Sequence, residues 1–226
     1  MADQLPSNVH VSTHPCAAAK LSQLRSRSTD TISTKALVHE IATIVGCEAL
    51  AHALRIESTG SDHSHQGYSY PTVATNPTNL TLVPILRSGL GMVDAVAALL
   101  PGPVPTHHLG MYREKSTRQP VEYYNNLPDY HADAPGSVPE LAIVVDPVIA
   151  TGNTMRAAIE TLWDWGVKKV VAITVLGTVE GLQHAAEAWP TGTELWVAGV
   201  DPRTDDDGMI QPGLGDIGDR LFRTMG

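Results

Sequence analysis

Alternating apolar strands and amphipathic helices predict an α/β fold, with a largely parallel sheet flanked by helices. Three observations carry that expectation. LTLVPIL (80–86) reads as a strand, and GMVDAVAALLP (91–101) as a helix stopped by proline. ELAIVV (140–145), TMRAAIETLWDWG (154–166) and KVVAITVLG (169–177) follow as strand, helix and strand, the order of a βαβ unit. VEGLQHAAEAW (179–189) and ELWVAGVD (194–201) then add one more helix and one more strand.

The remaining segments fill in around this frame. Residues 1–13 are polar and are expected to be loosely held. Over 34–55, Leu37, Val38, Ile41, Ile44, Val45 and Leu54 recur at mostly helical spacing. STGSDHSHQGYSYPTVATNPTN (58–79) is dense in turn formers and reads as a long loop or a short-strand connection. His63 and His65 lie there, but no neighbouring cysteine or carboxylate cluster completes a metal site, so a solvated loop is the simpler reading. Over 107–128, apolar and aromatic positions flank the charged tip REKSTRQ, the pattern of a β-hairpin or a protruding arm. The acidic run Asp205–Asp207 reads as a solvated turn.

Composition limits the function. With 226 residues, 42% hydrophobic and 17% charged, the chain has enough apolar material for one core, so a single domain over 1–226 is expected. A formal net charge of -9 argues against nucleic acid as the main partner, although a local basic pocket remains compatible with it. Cys16 and Cys47 are too few for a disulfide framework or a structural zinc site. The N-terminus lacks a signal-peptide pattern and no apolar run looks long enough for a bilayer, so a cytoplasmic protein without membrane contact is expected.

The most chemically loaded stretch is VVDPVIATGNTMRAAI (144–159), which places Asp146 between a strand and a small-residue turn. In an open parallel sheet, ligands bind at the carboxyl ends of the strands. ATGNT offers main-chain N–H groups, two threonine hydroxyls and a helix N-terminus, all suited to a phosphate. Gly152 permits close backbone approach, and Asn153 tolerates unusual φ values. A carboxylate repels phosphate, so Asp146 must face sugar hydroxyls or a metal-bound water, and together these groups suggest a ribose phosphate. The plain alternative is a capped structural turn.

DPVIATGNT resembles the 5-phosphoribosyl-1-pyrophosphate (PRPP) loop of the type I phosphoribosyltransferases, and its Asp-Pro start resembles the uracil phosphoribosyltransferase branch. VPILRSGLGMVD (83–94), MYREKSTRQPVEYY (111–124), QPGLGDIGDRLF (211–222) and the N-terminal HPCAAAKLSQLR and HEIATIVGCEA are similar to the same family. The resemblance implies conversion of uracil and PRPP to UMP and pyrophosphate in pyrimidine salvage. It implies PRPP contacts from Asp146, Pro147, Val148, Ile149, Ala150, Thr151, Gly152, Asn153, Thr154 and Asp216, and from Arg87 and Arg113 at the pyrophosphate. Of these, Arg87, Arg113 and Asp146 are the expected catalytic residues, although each arginine also reads as an ordinary surface charge. Lys115 and Arg118 read as solvated.

GLGDIG (213–218) formally matches a dinucleotide fingerprint, but too few residues follow it for a helix and second strand. The resemblance instead makes 202–226 a base-binding hood, with the main chain at Ile210, Gly215, Asp216 and Ile217 reading uracil. It also implies Mg²⁺ carried by PRPP and water-linked to Asp216, a homodimer or higher homo-oligomer, and a GTP effector. Asn153, Val179, Met209 and Gln211 depart from the family pattern, which leaves open another pyrimidine base or a non-catalytic PRPP- or UMP-binding regulator.

Overall fold

The computed structural model describes residues 5–114, 120–129 and 138–224. The chain opens with β1 (Val9–Val11), α1 (Pro15–Arg25) and α2 (Thr31–Ala53), followed by β2 (Arg55–His63) and β3 (Ser69–Asn76). Next come β4 (Leu80–Leu86), α3 (Leu90–Ala97), β5 (Leu109–Arg113), β6 (Pro120–Asn125), β7 (Leu141–Val145) and β8 (Val148–Ile149). The third stretch holds α4 (Asn153–Trp165), β9 (Lys169–Thr178), α5 (Val179–Ala186) and β10 (Thr193–Asp201). The chain closes with β11 (Arg203–Thr204), β12 (Ile210–Gln211) and α6 (Ile217–Phe222).

Eight strands form the main sheet in the order β1-β10-β9-β7-β4-β5-β6, with β8 also paired to β9. Every pairing is parallel except β5 with β6. The period of two along β7 sorts its side chains: Leu141, Ile143 and Val145 enter the layer under α1, α2 and α3, while Ala142 and Val144 enter the layer under α4 and α5. All five are essentially unexposed, as expected of a strand covered on both faces. α2 starts where the Asp30 carboxylate accepts the Ser33 N–H at 2.7 Å, and α4 stops at Gly166, whose φ of 101° suits glycine.

Several expectations need correction. Residues 9–11 are ordered as the edge strand β1, because the Leu195 N–H donates to Asn8 O and the Ser12 N–H to Val197 O. The 58–79 segment lies largely within an antiparallel hairpin, β2–β3, whose first strand is exposed along its whole length. Composition hid it because neither face is buried, so no apolar alternation is required. The 107–128 segment does hold the expected hairpin, since β5 and β6 pair antiparallel, and it continues the main sheet through β4–β5 pairing, whereas β2–β3 forms a separate sheet. The tip residues Lys115 and Arg118 lie outside the described residues. Finally, α2 is long and apolar enough to cross a bilayer by length and composition, yet Val38, Ile41, Ala42 and Val45 are fully buried in the core.

Candidate active site

β7 delivers its chain to the carboxyl edge of the sheet at Asp146, and the chain then turns through β8 into α4. Three interactions hold that turn. The Pro147 carbonyl accepts the N–H groups of Val175 and Leu176, both at 3.0 Å. The Thr178 hydroxyl donates to Ala150 O at 2.6 Å and accepts the Gly181 N–H at 2.9 Å, so one buried side chain caps α5 and fixes the loop. Gly152 has φ 81°, and a Cβ there would meet Gly181 O at 2.3 Å, so both backbone conformation and helix packing demand glycine. Asn153 does not use its tolerance for unusual φ: it begins α4, and Arg223 is the positive-φ non-glycine among the described residues.

The turn encloses a cavity of about 370 Å³. Asp146, Val148, Ile149, Ala150, Thr151, Gly152 and Thr154 line it, joined from the C-terminal segment by Asp216 and from the end of β4 by Ser88. Pro147 and Asn153 are not in that lining; Pro147 is spent on the sheet and Asn153 on the first turn of α4. The exposed N–H groups of a helix start favour an anion at this position.

Asp146 lies at the wall of this cavity, where burial pushes its carboxyl up to about 7, opposed by hydrogen bonds from the Ser88 hydroxyl and the Val148 N–H. Ser88 donates to Oδ1 at 2.7 Å. Sequence reasoning quoted Ser88 without giving it a role; the available signal was its place beside Arg87 at the same sheet edge as Asp146.

A second cavity of about 330 Å³ shares Ser88 and Asp216 with the first and is lined by Arg87, Tyr112, Tyr123, Ile217 and Gly218 among others. Arg87 donates to Asp219 Oδ1 at 3.3 Å and to Thr224 Oγ1 at 3.1 Å. Thr224 in turn donates to Asp219. With the Arg87 side chain 51% exposed, its ion pair is weak and exchangeable for a stronger anion. Arg113 ends β5, two residues past cavity-lining Met111.

The expected base-binding residues divide. Asp216 caps α6 by accepting the Asp219 N–H at 3.0 Å and faces both cavities. Ile210 and Gly215 line a smaller space of about 40 Å³ beside Val148, Ala150 and Met209. The side chains of Ile210 and Ile217 are in the core, so only main-chain groups there remain to read a base. Two remote arginines that sequence reasoning missed hold this segment. Arg25 donates to both oxygens of Asp201 at 2.7 Å and to Gly213 O at 2.8 Å, while Asp201 accepts the Gly213 N–H. Arg220 donates to Leu24 O at 2.7 Å and to Leu214 O at 2.6 Å.

A helix start suited to an anion, a neighbouring acid and an arginine at the edge of a parallel sheet are the features expected of a phosphoribosyltransferase. Comparison with known proteins narrows it. The family model described as uracil phosphoribosyltransferase matches residues 11–224, and the chain belongs to that family. It is 38% identical over 218 residues to a uracil phosphoribosyltransferase of Listeria innocua, covering 96% of this chain and 99% of that one. A uracil phosphoribosyltransferase of Finegoldia magna is 37% identical over 218 residues with the same coverage. Among solved structures, the AQ2163 protein of Aquifex aeolicus superposes with a TM-score of 0.84 at 27% identity, covering 96% of this chain and 98% of that one.

Proposed function

We propose that the protein joins N1 of uracil to C1 of the ribose of PRPP and releases pyrophosphate, giving UMP. The bond from C1 to the pyrophosphate oxygen breaks with its electron pair leaving on that oxygen, and the N1 proton passes to solvent. The observation that carries the reading is the common cavity of Asp146, the 148–154 turn and Asp216, which shares Ser88 and Asp216 with the cavity lined by Arg87. The turn seats the 5-phosphate, Asp146 accepts from ribose hydroxyls, and Arg87 exchanges Asp219 for the pyrophosphate as charge builds there. Arg113, on the neighbouring strand, is assigned to the same pyrophosphate. Main-chain groups at Ile210, Gly215, Asp216 and Ile217 read the base edge, since uracil alternates C=O and N–H around its ring.

The residues present suit Mg²⁺. Asp146 and Asp216 supply hard carboxylate oxygens beside the cavity, of the kind that would hold a metal-bound water. Magnesium bound with PRPP would offset charge on the leaving pyrophosphate. Association of subunits into a homodimer or larger homo-oligomer belongs to the same proposal, supported by the exposed apolar residues Ile56, Tyr68 and Val73 on and beside the β2–β3 hairpin. A cytoplasmic role in pyrimidine salvage completes it.

The test is pyrophosphate release by the purified protein with PRPP, Mg²⁺ and a panel of bases, each with and without GTP. Release with uracil alone supports the assignment; release with another pyrimidine alone reassigns the base; PRPP or UMP binding without release with any base makes the protein a regulator. Because Asp146 holds a proton up to about pH 7 in the empty protein, PRPP affinity is expected to rise from pH 6 to pH 8 as the carboxylate ionises. An affinity flat across that range would remove Asp146 from the sugar.

A further inference from the structure

We propose that His10, His52 and Glu194 form a site for one divalent transition metal of the zinc type, separate from the catalytic cavities. The three side chains come from three elements: His10 from edge strand β1, His52 from the last turn of α2 and Glu194 from β10. Their donor atoms all lie within 4.8 Å of one another. Glu194 Oε2 is 2.9 Å from His52 Nε2 and 3.5 Å from His10 Nε2. Tetrahedral zinc with bonds of about 2.0–2.1 Å requires ligand atoms roughly 3.4 Å apart, so this spacing needs only small side-chain adjustments.

The surroundings favour a cation over a simple ion-pair cluster. Lys169 occupies the other carboxylate oxygen, Oε1, at 2.6 Å, which leaves Oε2 as the free donor. That Oε2 is shut off from solvent and faces the Nε2 atoms of His52 and His10, so the three donor atoms converge on one point. His10 is stacked on Trp196 with ring centroids 4.3 Å apart, which fixes the imidazole plane. His52, at 46% side-chain exposure, provides the entry path and room for a water as fourth ligand.

Two imidazoles and one carboxylate suit Zn²⁺, Co²⁺ or Ni²⁺, and not Mg²⁺, which prefers an all-oxygen shell. Lys169 lowers the affinity by placing a positive charge beside the site, but it also orients Glu194. Bound metal would tie β1 to α2 and β10, at the sheet edge two strands removed from β7 and the phosphate turn. The Asp205–Asp207 turn and the hairpin histidines His63 and His65 offer no comparable convergence among the described residues.

The experiment uses the full chain after chelator treatment, titrated with Co²⁺ and separately with Zn²⁺. One equivalent of Co²⁺ should give the visible absorption of a four-coordinate ion without thiolate charge transfer, and should quench Trp196 fluorescence. Zn²⁺ at a hundredfold excess over its Kd should raise Tm by about 5 °C. His52→Ala and His10→Gln should each weaken binding at least about tenfold while leaving turnover unchanged. The proposal is overturned by absence of uptake, by wild-type affinity in either variant, or by a thiolate band placing the metal on Cys16 or Cys47, both of which are exposed.

Discussion

The two sides of the cleft, proposed above for phosphate and for base, are built in opposite ways. β7, the turn and α4 occupy one continuous stretch, and the strand feeding it is buried on both faces. The base side, 202–224, has a two-residue ladder, β11–β12, and a six-residue helix, too little to stand alone. Its position comes from side chains far away: Arg25 reaches Asp201 across 176 positions and Gly213 across 188, and Arg220 reaches Leu24 across 196. The bidentate Arg25–Asp201 pair, with Asp201 almost fully buried, is of the strong kind. On the proposed function, phosphate recognition thus rests mainly on one stretch of chain, whereas base recognition depends on how the N-terminal helices dock.

That contrast can be broken most severely at Asp146. Its carboxyl ionises near 3.8 when unfolded and near 7 when folded, so between about pH 4 and pH 7 the native protein holds a proton that the unfolded chain has lost. Stability therefore falls as pH rises through this window, and the cost is complete above it. Asp146→Asn is expected to stabilise the empty protein by up to roughly 4 kcal/mol at pH 8 and hardly at all at pH 4, while abolishing the pH dependence of PRPP affinity. Equal unfolding free energies for the two proteins at pH 8 would show that this side carries no stored electrostatic cost.

Arg87 lies on the seam between the two sides, so Arg87→Ala should lower turnover about 10²-fold, or ~2.7 kcal/mol of transition-state stabilisation. Near-normal pyrophosphate release by that variant would discard its role. Arg25→Ala then separates the halves: the KM for uracil should rise about tenfold, near 1.4 kcal/mol, with PRPP affinity little changed. A parallel loss of PRPP binding would mean that the two sides are a single cooperative unit. The smallest effect is expected from Thr178→Val, which removes the donor to Ala150 O; PRPP affinity should fall by about 1 kcal/mol with uracil unaffected. Isothermal titration with PRPP resolves that difference.

The strands β4, β7, β9 and β10 and the helix α4 were legible because two-sided burial and a 3.6-residue stripe leave plain marks in composition. The placement of Asp146, Thr151 and Gly152 was legible for a related reason, since the strand that precedes them fixes the edge of the sheet they occupy. The β2–β3 hairpin was not, because an exposed ladder places almost no demand on residue type. β1 was missed because three residues of edge strand acquire their order from β10, a partner almost two hundred positions away. Ser88, Thr178 and Arg25 went unassigned for want of any local pattern: each acts through contacts with groups distant in sequence.

Chain order and residue chemistry alone settled the parallel α/β layout and the place of the Asp146–Thr154 junction between strand and helix, since neighbours along the backbone build both. Folding in three dimensions decided where the hood lies, which acid Arg87 holds, and that His10, His52 and Glu194 converge. Such juxtapositions depend on long-range packing, and no periodicity within a short window records it.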